Sequence, residues 1–170
     1  MGYPCMLDLE TLGTQPDSVI IAIGAVKFGV NDTVETFYQV VDPASCIDVG
    51  MKIDASTVMW WVEQGAGARD AFKEKGIPIQ EALSLFSAWV DSDQVVWGNG
   101  ADFDNVILTS AYRLCKQELP WKFYNNRCYR TMKNQFPEVK LVRTGVYHNA
   151  VDDANSQAHH LIRILKSIRG

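Results

Sequence analysis

The stretch PCMLDLETLG, residues 4–13, sets two acids, Asp8 and Glu10, inside an otherwise apolar run. Its composition reads as a buried strand, and strand side chains alternate between faces, so positions two apart project together. Asp8 and Glu10 therefore stand side by side. Two close carboxylates repel unless something neutralises them, and a divalent cation is the expected partner. The chain thus opens on a core strand that carries chemistry.

Outward from this strand, Gly13 and Pro16 punctuate a polar loop, and VIIAIGAVKF (19–28) and VETFYQVV (34–41) flank a GVND hairpin connection. Three consecutive strands with short turns predict an antiparallel meander. Helical patterns follow at 54–65, 69–75 and, most clearly, 77–92, where Ile79, Ala82, Leu83, Phe86 and Val90 recur at helical spacing. QVVWGNG (94–100) then reads as a short strand running into a glycine-bounded turn, and residues 103–115 as the helix behind it. Strand, tight turn and helix make a crossover unit, which implies a parallel strand. Residues 149–168 form the strongest helix, with Val151, Ala154, Ala158, Leu161, Ile162, Leu165 and Ile168 on one stripe. The prediction is one α/β domain spanning residues 1–170, with a mixed sheet.

Composition bounds the function. The chain is 47% hydrophobic and 21% charged, as in ordinary globular proteins. Its longest apolar stretch is strand-sized, so no membrane partner is expected. No basic segment leads an apolar one at the start, and a cytoplasmic location is the expectation. Cys5, Cys46, Cys115 and Cys128 are scattered without a CxxC pair, which argues for reduced thiols rather than zinc or redox chemistry. A net charge of −4 gives no general basic surface for nucleic acid; such a substrate would need metal ions and a local basic edge.

The acidic anomaly recurs twice. Asp102 and Asp104 lie in WGNGADFDNVIL, at a strand-to-helix junction where ligands collect in open α/β sheets. Asp152 and Asp153 lie in the first turn of the last helix, with His148 just before it. Each acid alone is an ordinary helix-dipole partner. Together, LDLET, NGADFD and HNAVDDA resemble the three motifs of the DEDD superfamily of 3′-to-5′ exonucleases. The histidine five residues before Asp153 assigns the resemblance to the His-type branch. Within it, STVMWWVEQGAGAR and NNRCYRTMK look like segments of phage and prophage exonucleases and of a related bacterial exoribonuclease.

The resemblance implies a ribonuclease H-like fold: three antiparallel strands followed by parallel ones, with helices on both faces. It implies two divalent cations, Mg²⁺ or Mn²⁺, held by Asp8, Glu10, Asp104 and Asp153. Asp8 would bridge both, Glu10 and Asp153 would hold the nucleophile side, and Asp104 the leaving-group side, partly through water. His148 would take the proton from the attacking water. Asp104 stands one residue further from Asn99 than the pattern asks; Asp102 and Asp152 are the near-miss alternatives to Asp104 and Asp153, in solvent-side or capping roles. Thr11, Leu12 and Gly13 would abut the terminal nucleotide.

Trp60 and Trp61 point about 100° apart on a helix, so either one stacks on a base, with Trp61 the candidate, or both are packing residues. Arg127, Arg130 and Lys133, every three residues, suggest a helical stripe toward phosphate or a solvated face; the first two are the substrate candidates. The expected activity is release of nucleoside 5′-monophosphates from a single-stranded DNA or RNA 3′ end. The rival readings are an oligoribonuclease-like activity on short RNA and an inactive binding module of the same fold. A homodimer is an expectation by resemblance.

Overall fold

The computed structural model describes residues 2–169. A five-stranded sheet runs in the order β3-β2-β1-β4-β5. β1 (Cys5–Thr11) pairs antiparallel with β2 (Ile20–Phe28), which pairs antiparallel with β3 (Thr33–Val40). On its other side β1 pairs parallel with β4 (Val96–Gly98), and β4 with β5 (Asn126–Cys128). The mixed sheet is the one the sequence predicts, with β1 at its centre.

The two faces of β1 divide the molecule. Cys5, Leu7 and Leu9 join one core cluster with α3 (Ile79–Trp89) and α4 (Asp104–Leu114), through residues such as Leu83, Phe86, Ile107 and Leu108. Met6 joins a second cluster with Val26, Phe28 and the stripe Ala154, Ala158, Leu161 and Ile162 of α6 (Ala150–Arg169). Alternation then places Asp8 and Glu10 on the α6 face, beyond Met6. Opposite them on β2, residue size shrinks from Phe28 and Val26 to Gly24 and Ala22, so α6 closes on the sheet at its N-terminal end. A Cβ on Gly24 would overlap the backbone of Ala150 and Val151. That approach delivers the first turn of α6 to the acids of β1.

Smaller elements depart from the sequence reading. α1 (Pro43–Asp48), capped by Asp42, was not expected; α2 (Ala55–Glu63) starts where Asp54 caps it. The segment expected as a helix at 69–75 is a 3-10 turn, Gly67–Phe72. β5 is only three residues long, Asn-Arg-Cys, with no apolar alternation to signal it. Its presence breaks the expected helical stripe: Arg127 lies on β5, and only Arg130 and Lys133 belong to α5 (Tyr129–Gln135). Among the described residues, no helix is long and apolar enough to cross a membrane.

Candidate active site

A cavity of about 550 Å³ opens at the C-terminal ends of β1 and β4 and is lined by Asp8, Glu10, His148 and Asp153, among others. Carboxylate oxygens of Asp8, Glu10 and Asp153 lie within 4.8 Å of one another. Burial and the charges of Asp104, Glu10 and Asp153 hold the Asp8 carboxyl well above the usual carboxylate range. Burial and the charges of Asp153 and Asp104 push Glu10 up to about 9. Such a cluster is unfavourable in its ionised form and calls for positive charge. An all-oxygen set at a cavity wall, free of thiolates, suits hard divalent cations rather than zinc.

Asp104 stands apart from this trio. It is buried at the start of α4, where its Oδ1 accepts from the Leu9 N–H (3.0 Å) and its Oδ2 from the Asn99 N–H (2.8 Å). The reason lies in the sheet: β4 pairs with β1 only at Cys5 and Met6, so further along β1 the Leu9 N–H has no strand partner and takes a carboxylate instead. Burial raises Asp104 to about 6, while those two N–H groups and Arg130 draw it back down. Its charge acts on Asp8 and Glu10, while its oxygens, held by these two N–H groups, stand beside the trio rather than in it.

His148 holds a left-handed backbone (φ 63°), unusual outside glycine. Its N–H donates to Asp153 Oδ2 (3.1 Å), and its ring stacks on Tyr147 (3.8 Å between centroids) and meets the edge of Trp60 (4.9 Å). Burial among these rings lowers its pKa, against the pull of Asp153. A lowered pKa favours the neutral imidazole, the form that accepts a proton. Asp152, one residue before Asp153, instead accepts from the Val146 N–H (2.7 Å) and fixes the loop that carries His148.

The other candidates separate. Thr11 and Gly13 line the cavity, joined by a bond from Thr11 Oγ1 to the Gly13 carbonyl (2.6 Å). Leu12 points into the core and does not line it. Of the tryptophans, Trp61 is the buried one, and its Nε1 donates to the Thr11 carbonyl (2.9 Å); Trp60 keeps 40% of its surface exposed at the cavity wall. Trp61 thus braces the strand end while also lining the cavity beside Trp60. Arg127 and Arg130 stay outside the cavity: Arg127 binds the Tyr124 and Asn126 carbonyls, and Arg130 the Asn99 carbonyl (2.7 Å).

Two residues were not foreseen. Gln157 Nε2 donates to Asp8 Oδ1 (2.7 Å), and the buried Gln157 Oε1 has no partner. The signal for it was present, since Gln157 follows Asp153 by one helical turn and shares its face. Arg143 Nη1 lies 2.7 Å from Asp153 Oδ1, with its guanidinium over the Tyr147 ring at 4.1 Å. It sits on an irregular loop, and no periodicity marks it.

A family described as "3′-5′ exoribonuclease Rv2179c-like domain" matches residues 4–165. No curated protein sequence matches the chain. In fold it is similar to the nuclease domain of 3′hExo, a DEDDh family member, bound to rAMP (TM-score 0.67, 16% identity, 97% of this chain and 92% of that one). It is also similar to Exonuclease X in complex with 5′ overhanging duplex DNA (TM-score 0.64, 15% identity, 98% and 93% covered). A third similarity is to S. pombe Pop2p in its Mg²⁺ and Mn²⁺ bound form (TM-score 0.61, 13% identity, 95% and 82% covered).

Proposed function

Because the chain belongs to the Rv2179c-like 3′-5′ exoribonuclease domain family, a DEDDh exonuclease family, we propose that this cavity hydrolyses the terminal phosphodiester of a single-stranded 3′ end by a two-metal mechanism. The product is a nucleoside 5′-monophosphate. One observation carries the reading: the carboxyl groups of Asp8, Glu10 and Asp153 converge within 4.8 Å on a cavity that His148 also lines. The 3′hExo nuclease domain binds rAMP, a nucleoside monophosphate, and Pop2p binds Mg²⁺ and Mn²⁺; both agree with it.

Asp8, Glu10 and Asp153 would hold Mg²⁺ or Mn²⁺, with Asp104 adding charge from behind. When bound, a pair of such ions neutralises the phosphate and lowers the pKa of water, which is their standard contribution to phosphodiester hydrolysis. Gln157 fixes one oxygen of Asp8 and so sets the direction of the other. His148 accepts the proton of the attacking water, and the imidazolium so formed is stabilised by the neighbouring Asp153 carboxylate. Water oxygen bonds to phosphorus, the bond from phosphorus to the 3′ oxygen breaks, and that oxygen takes a proton from solvent. Trp60 stacks on the terminal base, while Thr11 and Gly13 bound the sugar. Arg143 places a guanidinium beside the cluster on the substrate side.

The test is a time course on matched single-stranded RNA and DNA labelled at the 5′ end, with Mg²⁺, Mn²⁺ or EDTA. A metal-dependent ladder that shortens from the 3′ end supports the proposal, and the relative rates name the preferred sugar. Intact strands under every metal would sink it.

A further inference from the structure

Charge is divided unevenly along this chain. Residues 113–133 carry six bases and one acid, Glu118, although the whole chain is net −4. The same segment displays Phe123 and Tyr124, 76% and 64% exposed, their rings edge to face at 5.4 Å. Large rings in solvent usually mark a mobile turn or a binding surface. This turn is anchored. Trp121 Nε1 and Asn105 Nδ2 both donate to Asn126 Oδ1 (2.8 and 3.0 Å), and Asn125 Nδ2 donates to the Asp93 carbonyl (3.1 Å). Arg127 Nη1 donates to the carbonyls of Tyr124 and Asn126, both at 2.9 Å, which keeps its guanidinium beside the rings.

A groove of about 300 Å³ lies between this turn and α4, lined by Pro16, Asn105, Thr109, Arg113 and Phe123. Residues close in the chain line this groove and the catalytic cavity. Thr14 lines the cavity and Pro16, two residues on, lines the groove; Phe103 lines the cavity and Asn105, two residues on, the groove. Arg130 is held on the carbonyl of cavity-lining Asn99. From Asn105 to Arg113 the groove follows α4 for about 12 Å. Exposed rings next to guanidinium groups match unpaired bases and phosphates. A partner protein would have to bury several exposed bases against the one local acid, which is costly without matched carboxylates.

We propose that this groove carries the substrate strand upstream of the scissile nucleotide. Bases stack on Phe123 and Tyr124, and phosphates meet Arg113, Lys122 and Arg127. The inference rests on the exonuclease reading and deepens it: the enzyme grips polymers, not only terminal dinucleotides.

Two measurements test it: anisotropy of a fluorescein-labelled single-stranded twenty-mer in EDTA, and kinetics on that strand and on a dinucleotide with Mn²⁺. The double substitution Phe123→Ala/Tyr124→Ala is expected to weaken twenty-mer binding about tenfold or more. It raises KM for the twenty-mer and leaves dinucleotide hydrolysis unchanged. Arg113→Gln/Arg127→Gln is expected to lower the slope of log affinity against log salt by about 0.7 per lost phosphate contact. Unchanged twenty-mer binding in both double variants would overturn the proposal. So would a wild-type dimer that the aromatic substitutions turn into a monomer in sedimentation, since the rings would then face a second copy. If wild type cuts neither substrate yet the variants lose strand binding, the catalytic reading fails and the groove stands.

Discussion

Gly24 on β2 and Ala150 at the start of α6 touch backbone to backbone, with no room for a methyl group between them. This contact seats the first turn of α6, and with it Asp153 and the His148 loop, against Asp8 and Glu10. Gly24 is the strand partner of Asp8, so the acid and the close approach share one register position. Gly24→Ala forces the helix off the sheet. The expected cost is at the upper end of the about 1–3 kcal/mol seen for overpacked cores, together with loss of turnover. Urea melts and hydrolysis rates on the same preparation check both.

The acidic cluster makes stability depend on pH and on cations. Without metal, Glu10 keeps its proton up to about 9, whereas in the unfolded chain it ionises near 4.5. Between those values the native state binds more protons, so raising the pH favours unfolding. Asp8, also raised, acts with the same sign. His148 and His160, lowered from 6.5, act the other way only below that value. In EDTA the Tm should therefore fall from pH 6.5 to 9, and Mg²⁺ or Mn²⁺ should raise it more at pH 9 than at 6.5. A flat or rising Tm in EDTA would contradict the cluster's electrostatics.

His148 sets the acidic limb of the rate profile. Its pKa is lowered by burial, so kcat/KM should stay high as pH falls and break below 6.5. His148→Ala should reduce kcat about 10²- to 10⁴-fold and remove that break. A break that survives the substitution would assign the proton transfer to another group.

The tryptophan pair should split binding from stability. Trp60→Ala should raise KM with little change in Tm, because its ring is partly in solvent. Trp61→Phe should leave the cavity face intact and lose about 0.5–1.5 kcal/mol, the net value of its bond to the Thr11 carbonyl. Substrate titrations and thermal melts on both variants separate the roles.

Much of this was legible in the sequence where period and chemistry conflict. Asp8 and Glu10 break an apolar strand at a spacing of two, and Asp153 opens a strongly periodic helix, so the face they share follows from alternation and helix geometry. β5 was not legible, because a three-residue Asn-Arg-Cys stretch carries no pattern; its stability comes from pairing with β4 and from the Asn126 anchor. The misreading of Arg127 as helical follows from that omission. Trp61 against Trp60 was undecidable from spacing, since adjacent helical positions differ only in what packs against them. The partial exclusion of Asp104 has a backbone cause, an unpaired N–H past the end of a short strand, which no side-chain motif records.

The most direct test of the central claim is hydrolysis in water enriched in heavy oxygen, with mass spectrometry of the released nucleotide and Mn²⁺ present or removed. The account predicts a nucleoside 5′-monophosphate carrying one heavy oxygen on its phosphate, formed with Mn²⁺ and absent for Asp8→Asn. A 3′-phosphate or cyclic product, or labelled product that persists without metal, would contradict it.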